Sequence, residues 1–76
     1  MKELVEFIAK SIVDNPEEVE VTEEEREDGR ILIKLNVSDE DKGKVIGRRG
    51  HVAESMRTLL RIVAVKQGKR TSLEIP

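Results

Sequence analysis

A short glycine-rich and basic segment, Gly43–Ala53 (GKVIGRRGHVA), contains the residues best suited to holding a charged ligand. It has three glycines and three cations, and Arg48 and Arg49 stand between the glycines Gly47 and Gly50. Because glycine has no Cβ atom, a phosphate group could approach the backbone closely at both ends of this pair. The two arginines would add long-range attraction and bidentate hydrogen bonds. The segment therefore predicts a phosphate clamp.

The sequence around the clamp predicts that it joins two helices. Ser38 is followed by three carboxylates, which is typical of a helix start, because a hydroxyl can cap free amides and carboxylates favour the positive end of the helix dipole. We expect a short helix from about Asp39 to Ile46, and a longer one that begins near Gly50 or His51 and runs to about Gln67. The free amides at the start of the longer helix would favour an anion at the clamp.

Other glycine motifs do not fit this segment. A Walker loop needs Lys and then Ser or Thr directly after its last glycine, whereas Arg48 follows Gly47 and His51 follows Gly50. A dinucleotide-binding fingerprint needs G-x-G-x-x-G after a strand, and the intervals from Gly43 onward are different. These nucleotide-binding motifs are therefore rejected.

The rest of the chain predicts one more helix and three strands. Apolar residues recur at helical spacing over Glu3–Asp14, which predicts an amphipathic helix. Alternation over Val19–Thr22 and Ile31–Val37 predicts two half-buried strands, and the Asp-Gly pair within Arg26–Arg30 predicts that they form an antiparallel hairpin. Thr71–Ile75 is expected to be a last short strand. The order α-β-β-α-α-β places the chain in the α+β class.

Length and composition limit the kinds of protein that this sequence can encode. We expect one domain, residues 1–76, and no cofactor or metal, because cysteine is absent and His51 is the only histidine. No nucleophile and base are paired in the sequence, so we expect a protein that is not an enzyme. Glu3, Glu6 and Lys10 interrupt the apolar N-terminus, which argues against a signal peptide or membrane span and predicts a soluble, cytoplasmic protein.

Charge is divided unevenly along the chain. Residues 1–41 carry 14 acidic and 5 basic side chains, net −9, whereas residues 42–76 carry 2 acidic and 9 basic side chains, net +7. A basic surface can therefore exist on a protein whose total charge is −2. The alternative is that the two halves interleave in space and their charges cancel.

Two pairs of apolar residues allow more than one interpretation. Val45 and Ile46 directly precede the clamp, and we expect at least one to face the core while the other forms an apolar floor for bases. On the long helix, Ile62 and Val65 belong to a second stripe with Ser55 and Thr58, beside a main stripe. This second stripe either packs on the first helix or forms a dimer interface. The main stripe comprises Val52, Ala53, Met56, Leu59, Leu60 and Val63.

The segment VIGRRG, Val45–Gly50, resembles the VIGxxG signature of the KH domain, an RNA-binding fold whose GXXG loop clamps the nucleic-acid backbone. The element order resembles the type II, prokaryotic KH domain. Nearly the whole chain is similar to small stand-alone bacterial KH proteins of the KhpA type. The resemblance implies three helices packed on one face of a three-stranded mixed sheet, with single-stranded RNA in a groove between the helix pair and one sheet edge.

The resemblance also implies roles for individual residues and partners. Backbone contacts would come from the GXXG loop, and base contacts from the two residues before it and an unidentified strand residue. Ala53 is smaller than the aliphatic residue that many KH domains have there, which weakens its expected contact with bases. Homodimers and a heterodimer with a larger KhpB-type KH protein are implied as assemblies. The RNA-binding candidates are Lys44, Val45, Ile46, Gly47, Arg48, Arg49, Gly50 and His51, and the dimer candidates are Ile62 and Val65.

Two functional hypotheses follow. The first is a non-catalytic single-stranded RNA-binding protein, an RNA chaperone or post-transcriptional regulator. The single aromatic residue, Phe7, fits a KH groove better than folds that stack bases on exposed aromatics. Single-stranded DNA stays open as a ligand. The second hypothesis is a protein-interaction module that works through the long helix and uses the loop only as structure.

Overall fold

A computed structural model describes all residues of the chain, Met1 to Pro76. It contains three α-helices, three strands and three short 3₁₀ turns. The helices are α1 (Lys2–Ile12), α2 (Lys42–Ile46) and α3 (His51–Lys66), the strands are β1 (Glu20–Glu25), β2 (Arg30–Asn36) and β3 (Arg70–Glu74), and the 3₁₀ turns are Pro16–Glu18, Asp39–Asp41 and Arg48–Gly50. None of the helices combines the length and the apolar character needed to cross a membrane.

The strands form one mixed sheet in the order β1-β2-β3. β1 and β2 are antiparallel, with Glu23 opposite Ile33, and the turn between them contains the predicted Asp-Gly pair. β2 and β3 are parallel, with Ile33 opposite Leu73, so the chain must cross back over the sheet through α2 and α3. The predicted α+β class, element order and mixed sheet are confirmed.

The core lies between the helices and one face of the sheet. Alternate residues of β2, Ile31, Ile33 and Leu35, are buried in it, as the alternation predicted, and α3 contributes Met56 and Leu60. Leu32 is also buried but is not part of this cluster, because its side chain lies on the opposite face of the pleat. Burial of these aliphatic side chains supplies the main stabilisation of a domain this small.

The start of the helix before the clamp differs from the prediction. The chain first makes a 3₁₀ turn at Asp39–Asp41 and becomes α-helical only at Lys42. Ser38 does not cap a backbone amide; its hydroxyl donates instead to Asp41 Oδ2 at 3.0 Å. β1 also runs three residues beyond its predicted end at Thr22, because its exposed glutamates pair through the backbone with β2.

Candidate nucleic-acid interface

The glycine at the end of α2 allows the clamp to turn sharply. Gly47 has φ 78° and its amide donates to the Gly43 carbonyl oxygen at 2.8 Å. A Cβ atom at Gly47 would lie 2.4 Å from Val52 Cγ2, in the first turn of α3. No L-residue fits this position without displacing α3, so glycine is required both by the backbone angle and by the close approach of the helices.

The tip of the loop carries the two predicted arginines. Arg48 and Arg49 are both exposed, and Arg49 has left-handed backbone angles (φ 56°, ψ 24°), as does Gly50 (φ 75°, ψ 12°). A left-handed conformation is uncommon for a residue with a Cβ atom and marks local strain. α3 begins at the next residue, His51, which is also exposed, so both arginines lie at the positive end of a 16-residue helix.

A buried carboxylate fixes α2 to the rest of the protein. Asp41 has no exposed surface and accepts hydrogen bonds from the backbone amides of Asp14 (3.1 Å) and Asn15 (3.0 Å). The Asn15 side-chain amide (3.1 Å) and the Ser38 hydroxyl (3.0 Å) donate to it as well. Burial alone would raise the pKa of Asp41, but these four hydrogen bonds lower it below the usual value. The loop after α1 and the start of α2 are therefore joined through one charge.

Three of the four lysines of the basic half form ion pairs, whereas none of its arginines does. Lys42 pairs with Asp39, Lys44 with Asp14 and Lys69 with Glu25, and each pair links the basic half to the acidic one. The hydrogen bond from Lys44 to Asp14 raises the pKa of that lysine. Asp14 therefore partly neutralises the positive charge of Lys44, although Lys44 lies close to the clamp.

No carboxylate lies within 4 Å of any arginine in the basic half. These arginines are Arg48, Arg49, Arg57, Arg61 and Arg70. They lie in the clamp, on α3 and at the start of β3, while β1 with its four glutamates forms the opposite edge of the sheet. The two halves are in contact through β2 and β3, but only lysines of the basic half form ion pairs with carboxylates of the acidic half. The arginines keep their positive charge available for a polyanion.

The two apolar residues before the clamp have different environments. Val45 is completely buried in the core, whereas Ile46 is 40% exposed. Direct contact of Val45 with a base, expected from the resemblance, therefore does not fit its position, because no surface of Val45 is available. Ala53 is buried too, so it offers no base contact. Ile46 is the apolar residue that a ligand held by the loop can reach.

A cleft between α3 and β3 contains residues that the sequence analysis missed. Its volume is about 180 Å³, and β3 is the edge strand of the sheet. The Arg57 guanidinium donates through Nη2 to the Leu73 carbonyl oxygen at 3.3 Å, which closes one wall. In the sequence, the spacing of Arg57 and Arg61, one helical turn apart, was the signal that could have placed both on the same side of α3. The lining residues are Arg57, Leu60, Arg61, Thr71, Ser72 and Leu73.

The second stripe of α3 is not covered by the protein's own elements. Ile62 is 51% exposed and Val65 is 69% exposed, so packing on the first helix does not account for them. Leu59, expected in the main core stripe, is 44% exposed as well, because the buried face of α3 is centred on Met56 and Leu60 instead. These three residues form an exposed apolar surface, which we call the α3 stripe.

Comparisons with known proteins agree with this geometry. The family model described as "KhpA/KhpB, KH domain" matches residues 2–75. The chain is 51% identical over 75 residues to the RNA-binding protein KhpA of Clostridium perfringens, covering 99% of both chains. It is also 51% identical over 73 residues to that of Borreliella burgdorferi, covering 96% of this chain and 88% of the relative, and 45% identical over 75 residues to that of Aquifex aeolicus, covering 99% and 94%.

No solved structure matches the chain at a significant level. The family model nevertheless spans almost every residue, and relatives with about half of their residues identical cover nearly the full length. The α-β-β-α-α-β order and the Gly47–Gly50 loop lie where the resemblance placed them. The chain belongs to the KhpA/KhpB family of KH domains.

Proposed function

We propose that this protein binds single-stranded RNA without catalysing a reaction, and acts in the cytoplasm as an RNA chaperone or post-transcriptional regulator. The observation that carries the proposal is the pair of exposed, unpaired arginines, Arg48 and Arg49, held at the start of α3 by a loop that only glycine permits at Gly47. The relatives' name, RNA-binding protein KhpA, supports RNA as the polyanion.

The loop acts on the sugar-phosphate backbone. Arg48 and Arg49 attract the phosphates and donate hydrogen bonds to them, while Gly47 and Gly50 let the strand approach the backbone of the loop. His51 extends the polar surface into the first turn of α3. Lys44 contributes long-range attraction, although its ion pair with Asp14 reduces its share. This part of the site holds the strand without reading its sequence.

The bases lie on the apolar side of the loop. Ile46 provides exposed aliphatic surface directly before Gly47, and Val45 supports it from the core. The cleft between α3 and β3 supplies the strand side of the groove that the sequence left unidentified, through Thr71 and Leu73. Because the groove has no aromatic residue for stacking, we expect an affinity on the order of micromolar for a single site of about four nucleotides.

Assembly through the α3 stripe is a second function that a separate observation favours. Leu59, Ile62 and Val65 expose aliphatic surface on one side of α3. We propose that Ile62 and Val65 form a homodimer contact, and that the same surface accepts a larger KhpB-type KH protein. Inclusion of KhpA and KhpB in one family model supports the second partner. Two linked clamps would raise the apparent affinity for one RNA strand through avidity.

The direct test is fluorescence anisotropy with labelled single-stranded RNA, matched single-stranded DNA and duplex RNA over a range of salt concentrations. We expect binding that prefers single-stranded RNA and weakens with salt, with a slope of about −0.7 per phosphate contacted and a total of a few phosphates. Equal affinity for DNA would show that the 2′-hydroxyl is not read. Absence of binding to all three ligands at high protein concentration would overturn the proposed function.

A further inference from the structure

The cleft between α3 and β3 has an unusual excess of hydrogen-bond donors. Arg57 and Arg61 both line it, and neither has a carboxylate within 4 Å. One arginine N–H, from Nη2 of Arg57, is bonded to the Leu73 carbonyl oxygen at 3.3 Å. A guanidinium has five N–H donors and no acceptor, so most of the donors of the two arginines have no partner within the protein.

A buried hydroxyl in the same cleft also has no partner. Thr71 Oγ1 is shielded from solvent and is the one buried side-chain polar atom of the protein that makes no hydrogen bond. The register of β3 places Thr71 on the face that packs against α3, opposite Ile31. An unsatisfied buried hydroxyl destabilises a folded protein, so a small shift of the cleft lining that let a ligand beside the two unpaired arginines reach Thr71 would be favourable.

The shape of the cleft favours a flat, partly apolar group over a phosphate. Leu60 and Leu73 are its two apolar lining residues, and the volume of about 180 Å³ suits one planar ring system. The Arg57 guanidinium is fixed in a partly buried position by the Leu73 carbonyl, which orients its remaining donors. A phosphate, which is strongly hydrated, would find better sites at the exposed arginines of the loop.

We infer that this cleft holds one nucleobase by an edge with two adjacent hydrogen-bond acceptors, and that Arg57 determines this preference. Guanine presents such an edge through O6 and N7, and cytosine through O2 and N3. Adenine has no edge with two adjacent acceptors, because its amino donor lies beside N1 and N7 and its N3 has no neighbouring acceptor; uracil has an N–H between its two carbonyl groups, so both bases leave an arginine donor unmatched. The inference rests on the proposed RNA binding and adds a base preference to it.

The test uses labelled uridine hexamers in which one central position is U, A, C or G. Anisotropy titrations should give a Kd at least about fivefold lower for the G and C hexamers than for the U and A hexamers, the lower end for a bidentate arginine contact. Replacement of the central guanine by 7-deazaguanine removes N7 and should abolish the advantage of G while leaving that of C.

Arg57→Lys keeps the positive charge but removes the planar fork of donors. We expect it to bring the four hexamers to within about twofold of one another, with little change in the Kd of the U hexamer. Thr71→Val is nearly isosteric and should reduce the same preference, which keeps the test decisive if Arg57→Lys alters the fold. Arg26→Lys, in the turn between β1 and β2, is the matched control and should leave the preference unchanged.

Each other outcome overturns the inference in a distinguishable way. Tight binding of all four wild-type hexamers with equal Kd would refute base selection and leave the proposed function standing. An equal loss for every hexamer in Arg57→Lys, with a shallower salt dependence, would show that Arg57 contacts a phosphate. Failure of the wild-type protein to bind any hexamer would remove the proposed function together with the inference.

Discussion

Gly47 and Val52 approach so closely that a Cβ atom on Gly47 would lie 2.4 Å from Val52 Cγ2 and 2.8 Å from the Val52 backbone nitrogen. The end of α2 is therefore packed directly on the first turn of α3. The conformation of the intervening arginines follows from this contact between the two helices. A clamp that is already shaped before RNA arrives avoids part of the entropy cost of ordering a loop on binding.

Gly47→Ala should damage both stability and RNA binding. The added methyl group meets backbone, and φ 78° is unfavourable for alanine, so we expect the free energy of unfolding to fall by about 1–3 kcal/mol. Gly43→Ala is the matched control: it lies in α2 with open space around its Cα, and should stabilise the helix by up to about 1 kcal/mol. Urea unfolding measures the free energy of unfolding of both variants. Equal effects of the two substitutions would contradict the close approach.

Reversing the charge of the clamp should remove RNA binding without unfolding the protein. We expect Arg48→Asp with Arg49→Asp to abolish detectable RNA binding in anisotropy titrations, because carboxylates repel the phosphates. The thermal midpoint should change little, because neither arginine has an ion-pair partner. Lys2→Asp with Arg26→Asp makes the same change of charge away from the loop and should retain most of the affinity. A folded clamp variant with wild-type affinity would end the model of a phosphate clamp.

Acid should destabilise the protein partly through Asp41. Its pKa is lowered in the folded state, so the unfolded chain takes up the proton first, and the stabilisation is present above the ordinary aspartate pKa of about 3.9. It is lost as the pH falls through the lower, folded value. We expect Asp41→Asn to be less stable than the wild type at pH 7 and to show a smaller loss between pH 5 and pH 2.

Urea unfolding at several pH values measures this difference. Asp39→Asn is the control, because Asp39 is almost fully exposed and pairs only with Lys42 at the surface. It should leave both the stability at pH 7 and the pH dependence nearly unchanged. If Asp39→Asn and Asp41→Asn behaved alike, the four hydrogen bonds to Asp41 would not be a significant source of stability.

A charge in the α3 stripe should shift the protein toward the monomer. In the proposed homodimer, Ile62→Glu would bury a carboxylate against apolar surface, which strongly disfavours association. Sedimentation velocity at several concentrations should show the wild type as a dimer and the variant as a monomer with unchanged circular dichroism. Phe7→Glu, which alters an exposed apolar residue of α1, should leave the mass unchanged. A wild-type monomer at high concentration would refute the homodimer.

Much of the fold could be predicted because its signals are local. Helical periodicity before Asp14 predicted α1, and the Asp-Gly pair near position 28 predicted the β1–β2 turn. α3 begins and ends where the glycines of the clamp and Gly68 indicated. Each of these features depends on residues that are close together in the sequence. They can therefore be predicted from short stretches of it.

The residues of the loop were also visible in the sequence, but their environments were not. Val45 and Ile46 are adjacent aliphatic residues, and only the packing of α2 decides that the first is buried and the second exposed. Ser38 looked like a helix cap, yet its hydroxyl is bonded to Asp41. Asp41 is only three residues away, but its carboxylate is fixed by the backbone amides of Asp14 and Asn15, which reach it only in the folded chain.

The sequence by itself therefore determined the helices, the strands, the glycine-bounded loop and the family. Tertiary structure decided which charges stay free: Lys44 is paired with Asp14, 30 residues away, while Arg57 faces β3 in the cleft with Thr71. The physical reason is that ion pairing, burial and an unsatisfied hydroxyl depend on atoms brought together from distant parts of the chain. Local sequence patterns do not reveal such contacts, because the contacts form only when the sheet and the helices pack together.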